Sequence, residues 1–317
     1  MMESLSVLNV LDRGLVEQAA AALNTSPGLV EKDWHVVRAL GVLATLDHGD
    51  VKPAFSGGTS LSKGWGLIKR FSEDIDFKVT VPAAVSRSKD KERRAAYRDQ
   101  IVNALTAAKF DLEGKVETRD EYRFFKAHFA YPSEFTAAKG LRPHLRVEMT
   151  LLPSKLPPVD QPIRSLLAEL QQHAPEVAAF PCVDPIETAA DKLSALAWRV
   201  CTRQYGGEKD DPTIIRHLHD LAALESHVGA SPVFTALVQQ AGIEDAGRGG
   251  GNAPADLSER FAMMLHDLRN KKVWEDEYRQ FVQQVSFARP DELINFSSAL
   301  DAARRLVGSV NGDRSGD

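Results

Sequence analysis

The stretch FSGGTSLSKGWGLIKRFSEDIDF, residues 55–77, constrains the fold of this chain more than any other. Near its start stands a glycine pair, Gly57 and Gly58, and near its end stand Asp74 and Asp76, separated by one apolar residue. The pattern predicts a short strand that runs into the glycines, then a helix, then a second strand that carries both aspartates. This order of elements limits both the architecture and the chemistry that the chain can support.

The two aspartates are predicted to share one face of a strand over residues 72–81, because successive side chains of a strand point to opposite faces. Ile75 and Phe77 then face the core. Two neighbouring carboxylates repel each other unless a cation lies between them. Their hard oxygen atoms suit Mg²⁺ (or Mn²⁺), which usually takes one or two carboxylates together with substrate phosphates. The alternative is an ordinary solvated strand edge.

The glycine pair is predicted to form part of a phosphate site. Glycine lets the backbone approach a ligand closely, and a helix that begins near Thr59 offers unpaired N–H groups to phosphate. Ser60, Ser62 and Lys63 could add hydroxyl groups and an ammonium group. Taken alone, a glycine pair before a helix is more often a plain turn. The ordered combination with the aspartate strand indicates nucleotidyl transfer, with an NTP as co-substrate.

The composition limits the class of protein to which this chain can belong. At 317 residues, with 43% hydrophobic and 26% charged residues, the chain has the composition of a soluble globular protein. We find no pattern of a signal peptide or of a membrane span, and we expect a cytoplasmic protein with no membrane partner. The two cysteines, Cys182 and Cys201, are interpreted as reduced thiols. A net charge of −5 argues against a general nucleic-acid coat but leaves room for a local basic groove.

The remaining patterns predict an α+β chain. The Ser26-Pro27 pair predicts a helix start in the first fifty residues. Leu61, Trp65 and Ile68 predict one face of the helix after the glycines, and residues 116–152 read as strands. Further predictions are a charged loop over residues 86–98, a loop at the proline-rich 155–162, and helices from 181 onward.

These elements predict two domains. A nucleotidyltransferase domain is expected over residues 1–180, with a helical N-terminal segment and an α/β core. A helical domain over 181–307 is expected to complete the active-site cleft. Residues 247–256, GRGGGNAPAD, are predicted to be a flexible linker and residues 308–317 a disordered tail.

The motif order resembles the DNA-polymerase-β-like nucleotidyltransferase superfamily, although the fifteen residues between Gly58 and Asp74 are a longer insert than usual. The segment EKDWHVVRALGVLA and the following residues 55–77 are similar to sequence motifs of the AbiEii/AbiGii (MenT-like) nucleotidyltransferase toxins. Later, ETAADKLSALAWR (residues 187–199) and RHLHDLAAL (residues 216–224) match that family's lysine and aspartate helices. The resemblance implies a polymerase-β-like core with a small mixed sheet, followed by a C-terminal helical domain.

The resemblance also implies roles for single residues. Asp74 and Asp76 would bind the two metal ions of a two-metal-ion reaction, and Arg70 would help to hold phosphate. The triphosphate would be held by Gly57, Gly58 and Ser60, with Thr59 and Lys63 beside them. Ser72, next to the metal site, would be a candidate target for modification by a partner.

Three further residues have competing interpretations. Glu148 fits a third carboxylate that binds metal or acts as general base, or it pairs with Arg146 or another surface cation. Lys192 matches the lysine expected to contact nucleotide phosphates, whereas a solvated helix face is the alternative. Asp220 matches the aspartate of the next motif, with a proposed catalytic role, but Arg216 lies four residues before it and an ordinary helical ion pair would explain it.

The function implied is that of a toxin in a bacterial toxin–antitoxin or phage-defence system. Such a toxin would transfer NMP from an NTP to the 3′ end of tRNA and block translation, and its antitoxin would be encoded nearby. Candidate tRNA contacts are the basic residues of 87–98 and 119–146. The alternatives are transfer to a protein hydroxyl or a small molecule, or a module that only binds an NTP or a partner.

Overall fold

A computed structural model describes residues 11–84, 86–137, 141–208, 210–229, 231–247 and 253–312. The chain divides into two compact units. The first, here called the α/β unit, consists of Met1–Gly66 and Phe71–Val183. The second, the helical unit, consists of Leu67–Arg70 and Asp184–Asp317.

The α/β unit is built on one mixed sheet of seven strands, in the order β3-β4-β5-β2-β1-β7-β6. The pairs β2–β5 and β1–β7 are parallel, and the other neighbours are antiparallel. This arrangement confirms the predicted α+β class with a mixed sheet. The strands are β1 (Lys52–Ser56), β2 (Asp74–Thr80), β3 (Asp111–Arg119), β4 (Phe124–Ala130), β5 (Leu145–Thr150), β6 (Val159–Ile163) and β7 (Val177–Cys182).

Five helices accompany the sheet among the described residues of this unit. They are α1 (Arg13–Ala22), α2 (Pro27–Thr45), α3 (Gly57–Lys63), α4 (Arg87–Ala107) and α5 (Leu166–Leu170). Helix α2 starts where the sequence predicted, with Ser26 as the N-cap residue and Pro27 in the first turn. Its buried residues join the core that covers one face of the sheet.

The core explains why β2 presents its aspartates to the other face. Ile75, Phe77 and Val79 are almost fully buried, and the ring of Phe77 packs 5.6 Å from that of Phe55 and 5.7 Å from that of Phe180. Burying these side chains fixes the register of β2, because a shift by one residue would place the aspartates in the core.

The helical unit contains six helices among its described residues: α6 (Pro185–Thr202), α7 (Arg216–Val228), α8 (Pro232–Gly247), α9 (Leu257–Asn270), α10 (Lys272–Val285) and α11 (Phe296–Asn311). Helix α6 begins as predicted, with the Asp184 carboxylate accepting from the N–H of Ile186 at 2.8 Å. The short Leu67–Arg70 segment belongs to this unit through its backbone. Arg70 forms a β-bridge with Ser286, and the N–H of Phe287 donates to the carbonyl of Lys69 at 3.1 Å.

Three predicted elements differ in the structure. Residues 87–98 are not a loop but the first half of α4, where Ser86 accepts from the N–H of Lys89 and caps the helix. Residues 159–162 pair with β7 as part of β6. Helix α3 ends at Lys63, so Trp65 and Ile68 lie beyond it. Gly64 ends this helix, and a Cβ there would lie 2.9 Å from the Cys182 sulfur, so the chain turns at a tightly packed point.

The first residues of the predicted tail are helical. Helix α11 continues through residues 308–311 and ends at Gly312, whose φ of 78° suits glycine. Residues 313–317 lie outside the described part of the chain, as do residues 248–252 of the predicted linker. In the described ranges no helix has the length and apolar character needed to cross a bilayer.

Candidate active site

Three carboxylates lie on one face of the sheet where β2 and β5 run side by side. The strands are parallel, with Asp76 opposite Glu148 and Asp74 opposite Arg146. The intervening apolar residues of both strands are buried, so these polar side chains project together from the other face. Paired residues of neighbouring strands are only about 5 Å apart. The sheet therefore brings together the two predicted metal ligands and the predicted third carboxylate.

Gly57 is the closest backbone neighbour of this face. Strand β1 pairs with β2 so that Ser56 lies opposite Asp76, and Gly57 follows with a φ of 76°. A Cβ atom built on Gly57 would lie 2.4 Å from Asp76 Oδ2. A non-glycine residue would thus meet both backbone strain and a steric overlap.

The Asp74 carboxylate is held by two arginines. Arg142 Nη1 lies 2.8 Å from Asp74 Oδ1, and Arg146 Nη2 lies 2.6 Å from Asp74 Oδ2. The Asp74 side chain is only 6% exposed, so these charge-assisted hydrogen bonds act in a partly desolvated setting. The cations needed to compensate neighbouring carboxylates are supplied here by the protein itself.

Arg142 is anchored on its other side by Glu73. Its Nη1 donates to Glu73 Oε1 at 2.9 Å, and its backbone N–H donates to Glu73 Oε2 at 3.1 Å. Lys32, from α2, pairs with Glu73 and donates to the carbonyl of Arg142 at 2.6 Å. Burial lowers the pKa of Lys32, while the charge of Glu73 opposes that shift.

The side chains of α3 are used differently from the prediction. Lys63 forms an ion pair with Asp33 of α2, and both side chains are at most 5% exposed. Burial raises the pKa of Asp33, an effect that Lys63 opposes. The hydroxyl of Thr59 donates to the carbonyl of Asp74 and lies 3.0 Å from the Ser72 oxygen. The Ser60 side chain is buried.

These contacts bear on the predicted phosphate site. The ammonium group of Lys63, predicted to contribute to that site, is paired with Asp33 inside the unit. Thr59 and Ser60 are buried at 0% and 1% exposure, and the Thr59 hydroxyl braces α3 against β2 through the carbonyl of Asp74. Gly57 is half-buried and brings its backbone next to the Asp76 carboxylate.

The helical unit contains a second cluster of predicted residues. Asp220 on α7 is fully buried and accepts from Arg70 Nε at 2.7 Å and Arg70 Nη2 at 2.6 Å. Lys192 on α6 lies 2.8 Å from Asp220 Oδ2. The bidentate guanidinium pair and the ammonium group together saturate the carboxylate. Asp220 therefore pairs with residues far away in the sequence, rather than resting on the local pair with Arg216 that was the alternative explanation.

The charges of this second cluster are strongly coupled. Burial raises the pKa of Asp220, but Arg70 and Lys192 outweigh it and hold that pKa well below the usual range. Burial lowers the pKa of Lys192, and Asp220 opposes this shift. Beside them, both ring nitrogens of His217 are buried without a hydrogen-bond partner among the described residues. Burial, together with the charge of Lys192, keeps the pKa of His217 well below its ordinary value.

The carboxylate face of the α/β unit fits a hard divalent cation in donor type. Asp74, Asp76 and Glu148 supply oxygen ligands from one face, and Gly57 adds no side chain there. In the placement described, no group of three or more such side chains in the described ranges is arranged around a common ion position. Both oxygens of Asp74 face guanidinium groups.

Comparisons with known proteins bear on this site. The sequence model of the nucleotidyl transferase AbiEii toxin family, described as part of a type IV toxin–antitoxin system, matches residues 41–304. The chain belongs to the AbiEii nucleotidyltransferase toxin family. No curated protein sequence matches it significantly.

A solved structure supports the AbiEii fold. The chain is similar to MenT4, a nucleotidyltransferase toxin of Mycobacterium tuberculosis H37Rv, with a TM-score of 0.51 and 20% identity. The match covers 96% of this chain and 100% of MenT4. Membership of the AbiEii family makes this chain a toxin nucleotidyltransferase of a type IV system, a kind of system that includes a cognate antitoxin.

In this AbiEii chain, the basic residues first suggested as RNA contacts are largely paired with acids. Arg87 and Arg94 both approach Glu121, with Arg87 Nη2 at 2.5 Å from Glu121 Oε1 and Arg94 Nη2 at 3.8 Å from Glu121 Oε2. Arg93 pairs with Asp50. An RNA phosphate would have to exchange with these acids, which weakens the electrostatic attraction that a free basic patch would offer.

Sequence reasoning missed the partners of Asp74. The sequence predicts Arg146 as an alternative partner of Glu148. It predicts Arg142 and Arg146 only as members of the basic group 119–146, the candidate tRNA contacts. A signal existed in the alternation of LRVEM, which places Arg146 on the same face as Glu148. The parallel register that sets Arg146 opposite Asp74 is a property of the sheet and is absent from the local sequence.

Proposed function

We propose that this AbiEii protein transfers a nucleoside monophosphate from an NTP to the 3′ end of tRNA and so blocks translation. The observation that carries the proposal is the set of carboxylates on one face of β2 and β5, beside the close approach of Gly57. Family membership supports the reaction class. The choice of tRNA as acceptor rests on the sequence resemblance.

In the proposed reaction, Asp74 and Asp76 would hold Mg²⁺, and Glu148 lies opposite Asp76 on the neighbouring strand. When bound, the metal ions would activate the acceptor hydroxyl and neutralise charge on the phosphates. Glu148 accepts the proton of the acceptor hydroxyl as its oxygen attacks the α-phosphorus. The bond from the α-phosphorus to the bridging oxygen of the β-phosphate breaks, and pyrophosphate leaves. The backbone at Gly57 and Gly58 approaches the triphosphate.

The ion cluster of the helical unit is proposed to serve the same reaction. Lys192 and Arg70 are the cations that would balance phosphate charge, and Asp220 holds both in place. Because Asp220 is fully buried and already accepts three hydrogen bonds or ion-pair contacts, we assign it a positioning role within the cluster. Replacing it should lower activity through its two partners.

The proposal is tested by incubating the purified protein with total bacterial tRNA, Mg²⁺ and each α-³²P-labelled NTP in turn. The double variant Asp74→Ala/Asp76→Ala is the inactive control. Asp111→Ala is the matched control, because Asp111 is an exposed aspartate at the start of β3 in the same sheet. Both variants are first checked for folding by circular dichroism.

A labelled RNA band with the wild type and with Asp111→Ala, but not with the double variant, would support the proposal and identify the nucleotide. Label that migrates with protein, or with neither macromolecule, would show a different acceptor and refute the tRNA assignment. Absence of transferred label with every NTP, in the presence of nucleotide binding, would mean a binding module instead of an enzyme.

A further inference from the structure

We propose that Arg142 and Arg146 act as built-in counter-ions of Asp74 and pass to the triphosphate when Mg²⁺ binds. This inference rests on the proposed function and deepens it. It gives both arginines a triphosphate-binding role in the reaction. It also makes metal binding and triphosphate binding depend on each other.

The first step is the competition at Asp74. Each of its carboxylate oxygens accepts from one guanidinium group, at 2.8 Å from Arg142 and 2.6 Å from Arg146. A metal ion takes a carboxylate oxygen at about 2.0–2.1 Å. Guanidinium groups and a divalent cation therefore compete for the negative charge and the lone pairs of one carboxylate. Metal binding to Asp74 would weaken or displace its contacts with the arginines.

Arg142 has a second set of contacts that does not involve Asp74. Glu73 already accepts from the side chain and the backbone of Arg142, and Lys32 binds both Glu73 and the Arg142 carbonyl. The residue thus keeps an anchor when its contact with Asp74 is lost. Its side chain is 34% exposed, compared with 19% for Arg146, so it is the freer of the two.

Arg146 has a buried hydrogen-bond donor without an acceptor. Arg146 Nε is buried and makes no hydrogen bond within the described part of the chain, although Nη2 of the same group binds Asp74. A buried donor without a partner destabilises the protein. A phosphate oxygen beside the carboxylate face would satisfy this donor. A planar guanidinium group is also well suited to bind phosphate through two N–H groups.

The charges agree with such an exchange. The group formed by Glu73, Asp74, Lys32, Arg142 and Arg146 contains two carboxylates and three cations. When Mg²⁺ takes Asp74, the arginines lose one anionic partner, and the cluster gains excess positive charge. A triphosphate supplies the missing anion at the same time. Metal alone should therefore bind weakly, and metal together with triphosphate should bind well.

The test measures metal binding without RNA or NTP, so its failure is distinguishable from failure of the proposed transfer reaction. Protein freed of metal with EDTA is titrated with Mn²⁺, and free Mn²⁺ is followed by electron paramagnetic resonance. The variants are Arg142→Gln, Arg146→Gln and Arg142→Gln/Asp74→Asn. Arg13→Gln is the matched control, because Arg13 lies on α1 and forms only an exposed pair with Glu17 among ion pairs described.

We expect Arg142→Gln and Arg146→Gln to bind Mn²⁺ roughly tenfold more tightly than the wild type, since each removes one charge-assisted competitor. Arg13→Gln should match the wild type, and the variant that also lacks the Asp74 carboxylate should lose the gain. A Mn²⁺ affinity that does not change, or that falls, in both arginine variants would overturn the inference. Circular dichroism and urea unfolding confirm that each variant is folded.

The second measurement uses inorganic tripolyphosphate with saturating Mg²⁺ in a calorimetric titration. Here the expected effect has the opposite sign, a loss of roughly tenfold in affinity for Arg142→Gln, because a phosphate ligand is removed. A purely structural role of Arg142 would weaken both ligands or neither. Tripolyphosphate affinity that stays equal to the wild-type value would overturn the transfer of the arginines to the triphosphate.

Discussion

Replacing Gly57 by alanine tests the contact between the glycine motif and the carboxylate face. The new Cβ would lie 2.4 Å from Asp76 Oδ2, about 1 Å short of ordinary van der Waals contact. The residue would also keep a φ of 76°, which costs an L-residue roughly 1–2 kcal/mol. The substitution therefore has a backbone part and a contact part, and the chain offers a means to separate them.

Gly49→Ala is the matched control. Gly49 has a φ of 60°, and an added Cβ would meet nothing within 4 Å. In this variant only the backbone strain should lower the free energy of unfolding, by roughly 1–2 kcal/mol. Gly57→Ala should lose that amount plus roughly 1–3 kcal/mol for the overlap. Urea unfolding followed by circular dichroism measures both values.

The functional consequence follows from the displacement of Asp76. A misplacement of about 1 Å in a reacting site can lower the rate roughly 100-fold. For Gly57→Ala we expect a loss of this size in the rate of nucleotide transfer, together with weaker Mn²⁺ binding. For Gly49→Ala we expect a transfer rate and a Mn²⁺ affinity close to those of the wild type. The reasoning would be refuted if Gly57→Ala were as stable as Gly49→Ala and bound Mn²⁺ like the wild type.

Two further predictions concern stability. Burial lowers the pKa of His35 to about 4. Between pH 6.5 and pH 4, His35 is therefore protonated in the unfolded chain but neutral in the folded chain. The free energy of unfolding should fall by up to about 3 kcal/mol as the pH drops through that window. In urea unfolding at pH 7 and pH 4.5, His35→Gln should show a smaller loss; an equal loss would contradict this assignment. Asp220→Asn leaves two buried cations with a neutral partner and should lower the free energy of unfolding by roughly 3–5 kcal/mol in calorimetry. Asp111→Asn, at an exposed position, should change it by at most about 0.5 kcal/mol, and a similar value for Asp220→Asn would show that the buried cluster is not coupled.

Features with a local cause could be predicted from the sequence. The alternation in DIDF set the two faces of β2, because each apolar residue gains from burial and each aspartate does not. Likewise, the Ser26-Pro27 and Asp184-Pro185 pairs marked the starts of α2 and α6, since their effects act within one turn. The order of such motifs along the chain was enough to identify the AbiEii family.

Helix α4 shows how a local signal can be misread. Residues 87–98 were predicted to be a loop because they are strongly charged, yet Lys, Arg and Glu are good helix formers. The buried residues of this helix are Arg94, Tyr97, Ile101 and Leu105, at spacings of three, four and four. This is the period of one helix face, and it was available in the sequence. Charge density alone therefore does not distinguish a solvated loop from a solvated helix.

Ion partners were the part of the site that the sequence did not predict. For Asp220, the nearest cation along the helix was Arg216, four residues away, but the observed partner Arg70 is 150 residues away. Asp74 is paired with Arg146 through a parallel register between β2 and β5, 72 residues apart. Local sequence fixes where a charged side chain stands, whereas packing of distant elements decides which opposite charge is brought to it.

The partners supplied by distant elements matter for the chemistry of the Asp74 and Asp76 carboxylates. Asp74 and Asp76 indicate a cation site by their spacing, and a desolvated carboxylate requires a positive partner whether or not a metal ion is bound. Arg142 and Arg146 supply that partner at Asp74. A metal ion at Asp74 would therefore compete with the residues that stabilise this carboxylate in the fold, and stability and metal affinity should respond to them in opposite directions.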